Sequence, residues 1–344
     1  MTRRLGLIAA LVVVLLAGAV ALAAWTPGGS PIAAAAPSTT APTPKAGEVL
    51  IGAYVDNILG VDPATNSFEA DFYVWMRWTD KKLKPWKTLE FMNLYEAWKL
   101  MAWPSVDAPV KQPDGSLYYQ THYQGAFAST QNLRAFPFGK QALHIEMEDM
   151  RSESNKLSFV TDGDKVAIAP EISLPGYRIG RPTIHAVPFA YATDFGFLDS
   201  TVTNDYSRAT ITIPVSHPVV TNIFKYLVPI FLVMIAAALI FQIPPGLVEG
   251  RIGLAITALL TLVAMQWTAT DQLPTLAYLT MLDALFLMSL AFVLGSLVTA
   301  LRISWVAREA NEQRAIRLDE RAMRIFLAAY GLAFAAVLAY YLLT

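Results

Sequence analysis

The chain of 344 residues contains no cysteine. Disulfides, thiolate catalysis and zinc–thiolate sites are thereby excluded. Histidine is scarce: His122, His144, His185 and His217 are the only four, and their spacing fits no metal-ligand pattern. Charge is also thin. Charged residues make up 15% of the chain against 55% hydrophobic, so part of it belongs in lipid. A net charge of −1 argues against nucleic acid as a partner. No Ser/His/Asp arrangement or glycine-rich phosphate loop is present, and acids such as Glu146 and Glu148 are normal on a solvated strand face, so nothing points to an enzyme.

What is there begins with a basic "MTRR" and a long apolar run, "LGLIAALVVVLLAGAVALAA". This reads as an export signal over 1–24, with Ala21-Leu22-Ala23 as a small-residue cleavage pattern; the run is also long enough for an uncleaved anchor. Residues 25–46 are rich in Pro, Ala, Ser and Thr and cannot build a core, so they read as a linker.

From 47 to about 218 the hydrophobic period is two. In "FEADFYVWMRWTD", Phe68, Ala70, Phe72, Val74, Met76 and Trp78 point one way, and Glu69, Asp71, Tyr73, Trp75 and Arg77 the other. "ALHIEMEDM" and "ATITIPV" read similarly, with turn signals at "PDGS", "TDGD" and "LPGY". Many short strands over this length predict an antiparallel β-sandwich, placed outside the cytoplasm by the export signal.

Residues 219–344 predict a four-helix transmembrane domain, with spans near 223–243, 252–269, 276–301 and 323–343, each close to the ~20 residues that cross a bilayer. Arg302, Arg308, Arg314, Arg317, Arg321 and Arg324 cluster between the third and fourth spans, whereas "TDQLPT" between the second and third has no basic residue. The positive-inside rule puts the arginines in the cytoplasm and the sandwich outside.

The second span carries a stripe at helical spacing: Glu249, Gly253, Thr257, Leu260, Ala264, Trp267 and Asp271. It is acidic at both ends, small or hydroxylic below and apolar in the middle. Such a face suits a helix that lines a water path closed by copies of itself. Small residues for close helix packing are the other reading.

Several motifs in order resemble the pentameric ligand-gated ion channels, the Cys-loop receptor superfamily, in its bacterial form without the cysteines. "FPFGKQ" at 136–141 is similar to that family's Phe-Pro-Phe-Asp-x-Gln loop, "VWMRWTD" to its Trp-x-Asp strand, Pro229 to the proline of its first span, and "LPTLAYLTMLD" to the second-to-third span junction of a bacterial amine-gated member. Ser129 and Leu143 stand where the loop's cysteines would be, Gly139 replaces the loop's aspartate, and "PVSHPVVTN" lacks the arginine usual before the first span.

The resemblance implies a homopentameric, ligand-gated or proton-gated, cation-selective channel of the bacterial inner membrane, with no cofactor. Its partners would be its own copies, membrane lipid, a small extracellular ligand or protons, and monovalent cations. Glu249 would form the selectivity ring, with Arg251 facing away toward the cytoplasm. Phe136, Pro137 and Phe138 would couple the sandwich to the outer ends of the spans. An aromatic box between subunits would take the ligand. Tyr73 and Trp75 would sit on its complementary side, with Trp98, Trp103 and Tyr95 on its principal side. Phe189, Tyr191, Phe195 and Phe197 would supply the capping hairpin. Such a box attracts an ammonium group by about 0.5–2 kcal/mol per ring. His144 and Glu146, alternating on one strand, form a conceivable proton sensor. The alternative is a membrane-anchored sandwich of the same fold that senses or binds a partner without conducting.

Overall fold

The computed structural model of the protein describes residues 43–163, 166–193, 195–196, 204–271, 273–309 and 312–343. The export segment and residues 25–42 of the linker lie outside the described residues, as does Phe197. The described chain falls into two compact units. One holds the residues up to 131 together with 140–216, and the other holds 132–139 together with 217–344.

The first unit is a β-sandwich. Its strands are β1 (Glu48–Asp62), β2 (Ser67–Trp78), β3 (Leu89–Phe91), β4 (Met101–Pro104), β5 (Val110–Lys111), β6 (Leu117–Ala128), β7 (Lys140–Asp149), β8 (Ser158–Thr161), β9 (Ala167–Ile168), β10 (Arg178–Ile179), β11 (Thr183–Ala190) and β12 (Asp205–Ser216). One sheet runs β4-β6-β2-β1-β8, with β5 on β6 and β9 on β1; the other runs β10-β12-β7-β3, with β11 on β12. The period-two reading of β2 holds residue by residue. Phe68, Ala70, Phe72, Val74, Met76 and Trp78 are each buried in the core. They meet Leu143, Ile145 and Met147 of β7 and Ala209, Ile211 and Ile213 of β12. Burying each large apolar side chain contributes about 1.5–3 kcal/mol, which fixes both the register and the outward face. The sandwich is not antiparallel throughout, because β1 pairs with β8 and β9 in parallel. At "PDGS" the turn is closed by Asp114, whose Oδ1 accepts from the hydroxyl and the N–H of Ser116 at 2.6 and 3.0 Å. Those bonds, the side-chain one first, hold the Asp114 carboxyl below its ordinary pKa.

The second unit contains four helices long and apolar enough to cross a membrane: α1 (Val219–Gln242), α2 (Val248–Thr270), α3 (Met281–Glu309) and α4 (Glu312–Leu343). Within α1 the turn widens to a π-helix over Ile223–Leu227, immediately before Pro229. Proline has no N–H to donate back to that turn, so the ladder there adjusts. Pro244, Pro245 and Gly246 reverse the chain, with Leu247 N–H donating to Pro244 O at 2.9 Å, and α2 starts at once. α3 begins later than its hydropathy suggests. Thr280 and Asp283 form a reciprocal cap, Thr280 Oγ1 donating to Asp283 Oδ2 at 2.7 Å and Asp283 N–H donating to Thr280 Oγ1 at 3.2 Å. The arginines lie on helices on both sides of residues 310–311. Arg302 and Arg308 extend α3, and Arg314, Arg317, Arg321 and Arg324 open α4. No glycine or proline interrupts 302–324, and its Arg, Glu, Ala and Leu are good helix formers.

Arg251 departs from expectation. It does not face the cytoplasm but is fully buried. Its Nη1 and Nη2 reach Asp319 of α4 at 3.1 and 2.5 Å, and its remaining donors bond Ile243 O and Ala300 O. A guanidinium can be buried only with its charge paired and its fork of donors satisfied. This site meets both conditions and locks the foot of α2 between α3 and α4.

Candidate functional site

On α2 the two faces differ sharply in one chain. Arg251, Ala255, Ala258, Leu262 and Ala269 are buried against the other helices. Glu249, Gly253, Thr257, Leu260, Ala264, Trp267 and Asp271 are all exposed. Even the apolar members stand open, Leu260 at 66% and Trp267 at 74%. Ala264 also borders a cleft of about 380 Å³ between α1 and α2, shared with Lys225, Tyr226 and Thr268. Thr257 and Thr261 donate their hydroxyls back to Gly253 O and Thr257 O, both at 2.8 Å. Their oxygen lone pairs therefore point outward as acceptors, which suits a wet face.

Within the same unit, the 132–139 segment is stitched to the helices. Phe136 lies edge-on to Tyr226 of α1 and to His217, at 5.7 Å in each case. Phe138 packs with Ile223, Leu227 and Met281. The Phe136–Pro137 bond is cis, and Pro137 O accepts from Asn222 Nδ2 at 2.5 Å. Arg134 O accepts from Met281 N–H at 2.8 Å, at the start of α3. Tyr278 Oη accepts from Leu133 N–H at 3.1 Å, and its ring lies 5.1 Å from the Arg134 guanidinium. The segment thus holds α1, α3 and the approach to α3 together. Arg134, Tyr278 and Asn222 complete this work, whereas the sequence resemblance pointed only to Phe136, Pro137 and Phe138.

On the sandwich, the expected aromatic residues divide into two groups that cut across the expected sides. Tyr54, Tyr73, His122 and Trp103 are successive cross-strand partners on β1, β2, β6 and β4. Trp103 therefore neighbours Tyr73 through His122, rather than joining Tyr191. Trp75 lies on the same face of β2, its indole flat over Gly52 and its Nε1 donating to Asp162 at 3.0 Å. Only glycine fits beneath that ring, since a Cβ at position 52 would come within 2.4 Å of it. Trp98 stands 80% exposed on the turn Ala97–Lys99.

The second group gathers at the β11–β12 hairpin. Phe189, Tyr191, Phe195 and Tyr206 form edge-to-face contacts around Tyr191 at 5.0 to 5.8 Å. A cation already occupies this cage. The Arg208 guanidinium sits 3.4 Å from the Phe189 ring centroid. It donates to Glu148 Oε1 at 2.5 Å, Glu146 Oε2 at 3.0 Å and Tyr191 Oη at 3.1 Å. Tyr191 Oη donates in turn to Glu148 Oε2 at 3.0 Å. Burial, then the bond to Glu148, pushes the Tyr191 phenol up. Burial works against the Arg208 charge, but the bond to Glu148 and the charges of Glu148 and Glu146 outweigh it and raise its pKa. Glu146 is therefore a partner of Arg208. His144, its expected companion as a proton sensor, pairs instead with Thr212 Oγ1 at 3.2 Å. A lone arginine inside the apolar alternation of "YSRATITIPV" was the signal for this network in the sequence.

Comparison with known proteins falls on both units. Residues 226–331 match the neurotransmitter-gated ion-channel transmembrane region. The chain is 21% identical over 286 residues to a glutamate-gated chloride channel of Drosophila melanogaster, covering 77% of this chain and 60% of that one. The chain is thus similar to the Cys-loop ligand-gated ion channels, in its transmembrane region and at low identity beyond it. A gamma-aminobutyric acid receptor subunit alpha-2 of Bos taurus gives 21% over 288 residues, covering 76% of this chain and 60% of its own length. A pH-sensitive chloride channel 2 of Drosophila melanogaster gives 21% over 202 residues, covering 58% and 38%. The chain thus spans about 60% or less of the curated relatives it matches. Members of this Cys-loop family are channels, not enzymes.

Proposed function

We propose that the protein is a homopentameric, cation-selective channel of the bacterial inner membrane, gated by a small ligand or by protons and lined by α2. The observation that carries this reading is the uniform exposure of the α2 stripe from Glu249 to Asp271, beside the burial of the opposite face. A helix that leaves a face with acids at both ends open in one chain is suited to closing a wet path with its own copies. Five Glu249 carboxylates around the inner mouth would raise local cation concentration and repel anions. Leu260 and Ala264 would form an apolar belt that closes by dewetting. By the positive-inside rule, the arginines of α3 and α4 favour a cytoplasmic mouth and an outer sandwich. Phe136, Pro137 and Phe138 would transmit ligand binding to α1 and α3, and the rings of Tyr73, Trp75, Tyr191 and Phe195 would contribute to the intersubunit site.

A second reading is anion conduction, favoured by two relatives whose names describe chloride channels. One measurement separates them. In a salt gradient across a planar bilayer, the reversal potential of the cation channel moves toward the cation limit, and Glu249→Gln moves it back while lowering conductance. A wild-type reversal potential at the anion limit, or an unchanged one in Glu249→Gln, rejects Glu249 as the filter. No current under any pH or amine tried would favour the non-conducting form.

A further inference from the structure

His122 is the histidine most enclosed by chemistry that would hold a charge. Its imidazole lies parallel to the Tyr73 ring, with centroids 4.3 Å apart and planes at 9°. Trp103 covers it from β4 at 5.2 Å. Its Nε2 bonds the Asp71 carboxylate. The two side chains of that pair keep 25% and 20% of their surface, enough for exchange with solvent protons. The ring itself fills the space between Tyr73 and Trp103, the place an organic cation would take in an aromatic box. An imidazolium there gains a charge-assisted bond to Asp71 and the attraction of two ring faces. Neutral imidazole can still donate to Asp71, but it brings no charge of its own to pair with the carboxylate or to attract the ring faces.

The charged and titratable groups around it are few. Asp71 and Tyr73 face it from β2 and Tyr54 lies beyond Tyr73 on β1. Trp103 and Met101 on β4 carry no charge, and Gln120 and Gln124 flank it on β6. Burial first, then Asp56 and Glu171, raises the Tyr54 phenol, so it stays neutral through the acid range. One proton therefore changes the charge of this patch, from carboxylate alone to a neutral ion pair. Histidine is the side chain whose ordinary pKa lies in that range.

We propose that His122, clamped by Asp71, Tyr73 and Trp103, is a proton-binding site and that its protonation is the stimulus that biases the channel. The second half rests on the channel reading above. Both halves are tested on the full-length protein. Imidazolium quenches a neighbouring indole, so tryptophan emission of the purified protein should fall as pH drops from 8 to 5. The fall should be reduced in Trp103→Phe and in His122→Gln. Asp71→Asn, which removes the carboxylate partner of His122, should move the midpoint to lower pH. In bilayers, wild-type open probability should follow the same midpoint, and His122→Gln should flatten it. An emission titration unchanged in His122→Gln overturns the site. A titration that His122→Gln removes, beside currents that ignore pH, overturns its coupling to opening. Protein that passes no current at any pH sinks the channel reading, and the emission titration still decides the site. Should His122→Gln fail to fold, the Asp71→Asn midpoint carries the test, and an unshifted midpoint counts against the proposal.

Discussion

At the residue scale, a single cation decides how the hairpin cage is read. Arg208 occupies the ring face that an amine would need, and it neutralises two carboxylates, one of which, Glu148, is 3% exposed. Truncating one partner of such a network strands the other in a low-dielectric setting. Arg208→Met should cost about 3–5 kcal/mol of stability, seen as a large drop in thermal midpoint. A loss below 1 kcal/mol would mean that water reaches Glu148 freely. The outward tryptophan allows a gentler test. Gly52→Ala introduces a Cβ that must displace the Trp75 ring, and with it the bond to Asp162. Overpacking of this kind costs about 1–3 kcal/mol. The variant should melt lower, and if Trp75 contributes to the ligand site its ligand response should weaken more than expression does. Unchanged melting would show that the indole is free to move aside.

At the element scale, α2 is held by one face and free on the other. Arg251 anchors its foot to Asp319 of α4, and small residues pack its middle. Asp319→Ala leaves a buried guanidinium unpaired and should cost about 3–5 kcal/mol, while Arg251→Met with Asp319→Leu together should recover much of it. A double variant no better than the single would show that the bonds to Ile243 O and Ala300 O dominate. On the free face, Leu260→Ser should hydrate the apolar belt and leave a conducting protein leaky or easier to open; wild-type gating would put Leu260 off the axis. Elements were legible where one physical term rules. Hydropathy marked four helices, and alternation marked both faces of β2, because burial alone sets those patterns. The exposed α2 stripe followed from helical spacing. Pairings at long range were not legible. Arg251 with Asp319, Arg208 with Glu148 and His122 with Asp71 join residues from 51 to 68 positions apart. Nothing local in the sequence marks the partner of any of these charges, and the resemblance alone put Arg251 toward the cytoplasm. The start of α3 was misplaced because hydropathy ignores the Thr280–Asp283 cap.

At the scale of the whole molecule, one chain is incomplete by its own chemistry. α2 is 23 residues long, roughly 35 Å at 1.5 Å per residue, and one face of it carries Leu260 and Trp267 open beside Glu249 and Asp271. Lipid would accept the leucine and reject the two carboxylates, and water would do the reverse. A ring of identical helices meets both demands, since the acids then crowd at wet mouths and the leucines face one another across a constriction. Closed cyclic symmetry is also the arrangement in which the same surface repeats without leaving an open end. Mass measurement in mild detergent should therefore give five copies of the 344-residue chain, or of that chain less its export segment. Glu249→Gln should lower the single-channel conductance of that assembly. A stable monomer would remove both the pore and the site between subunits. A pentamer whose conductance is unchanged in Glu249→Gln would keep the assembly and place the filtering charge elsewhere along the path, with Asp271 at the opposite end of the stripe as the next residue to neutralise.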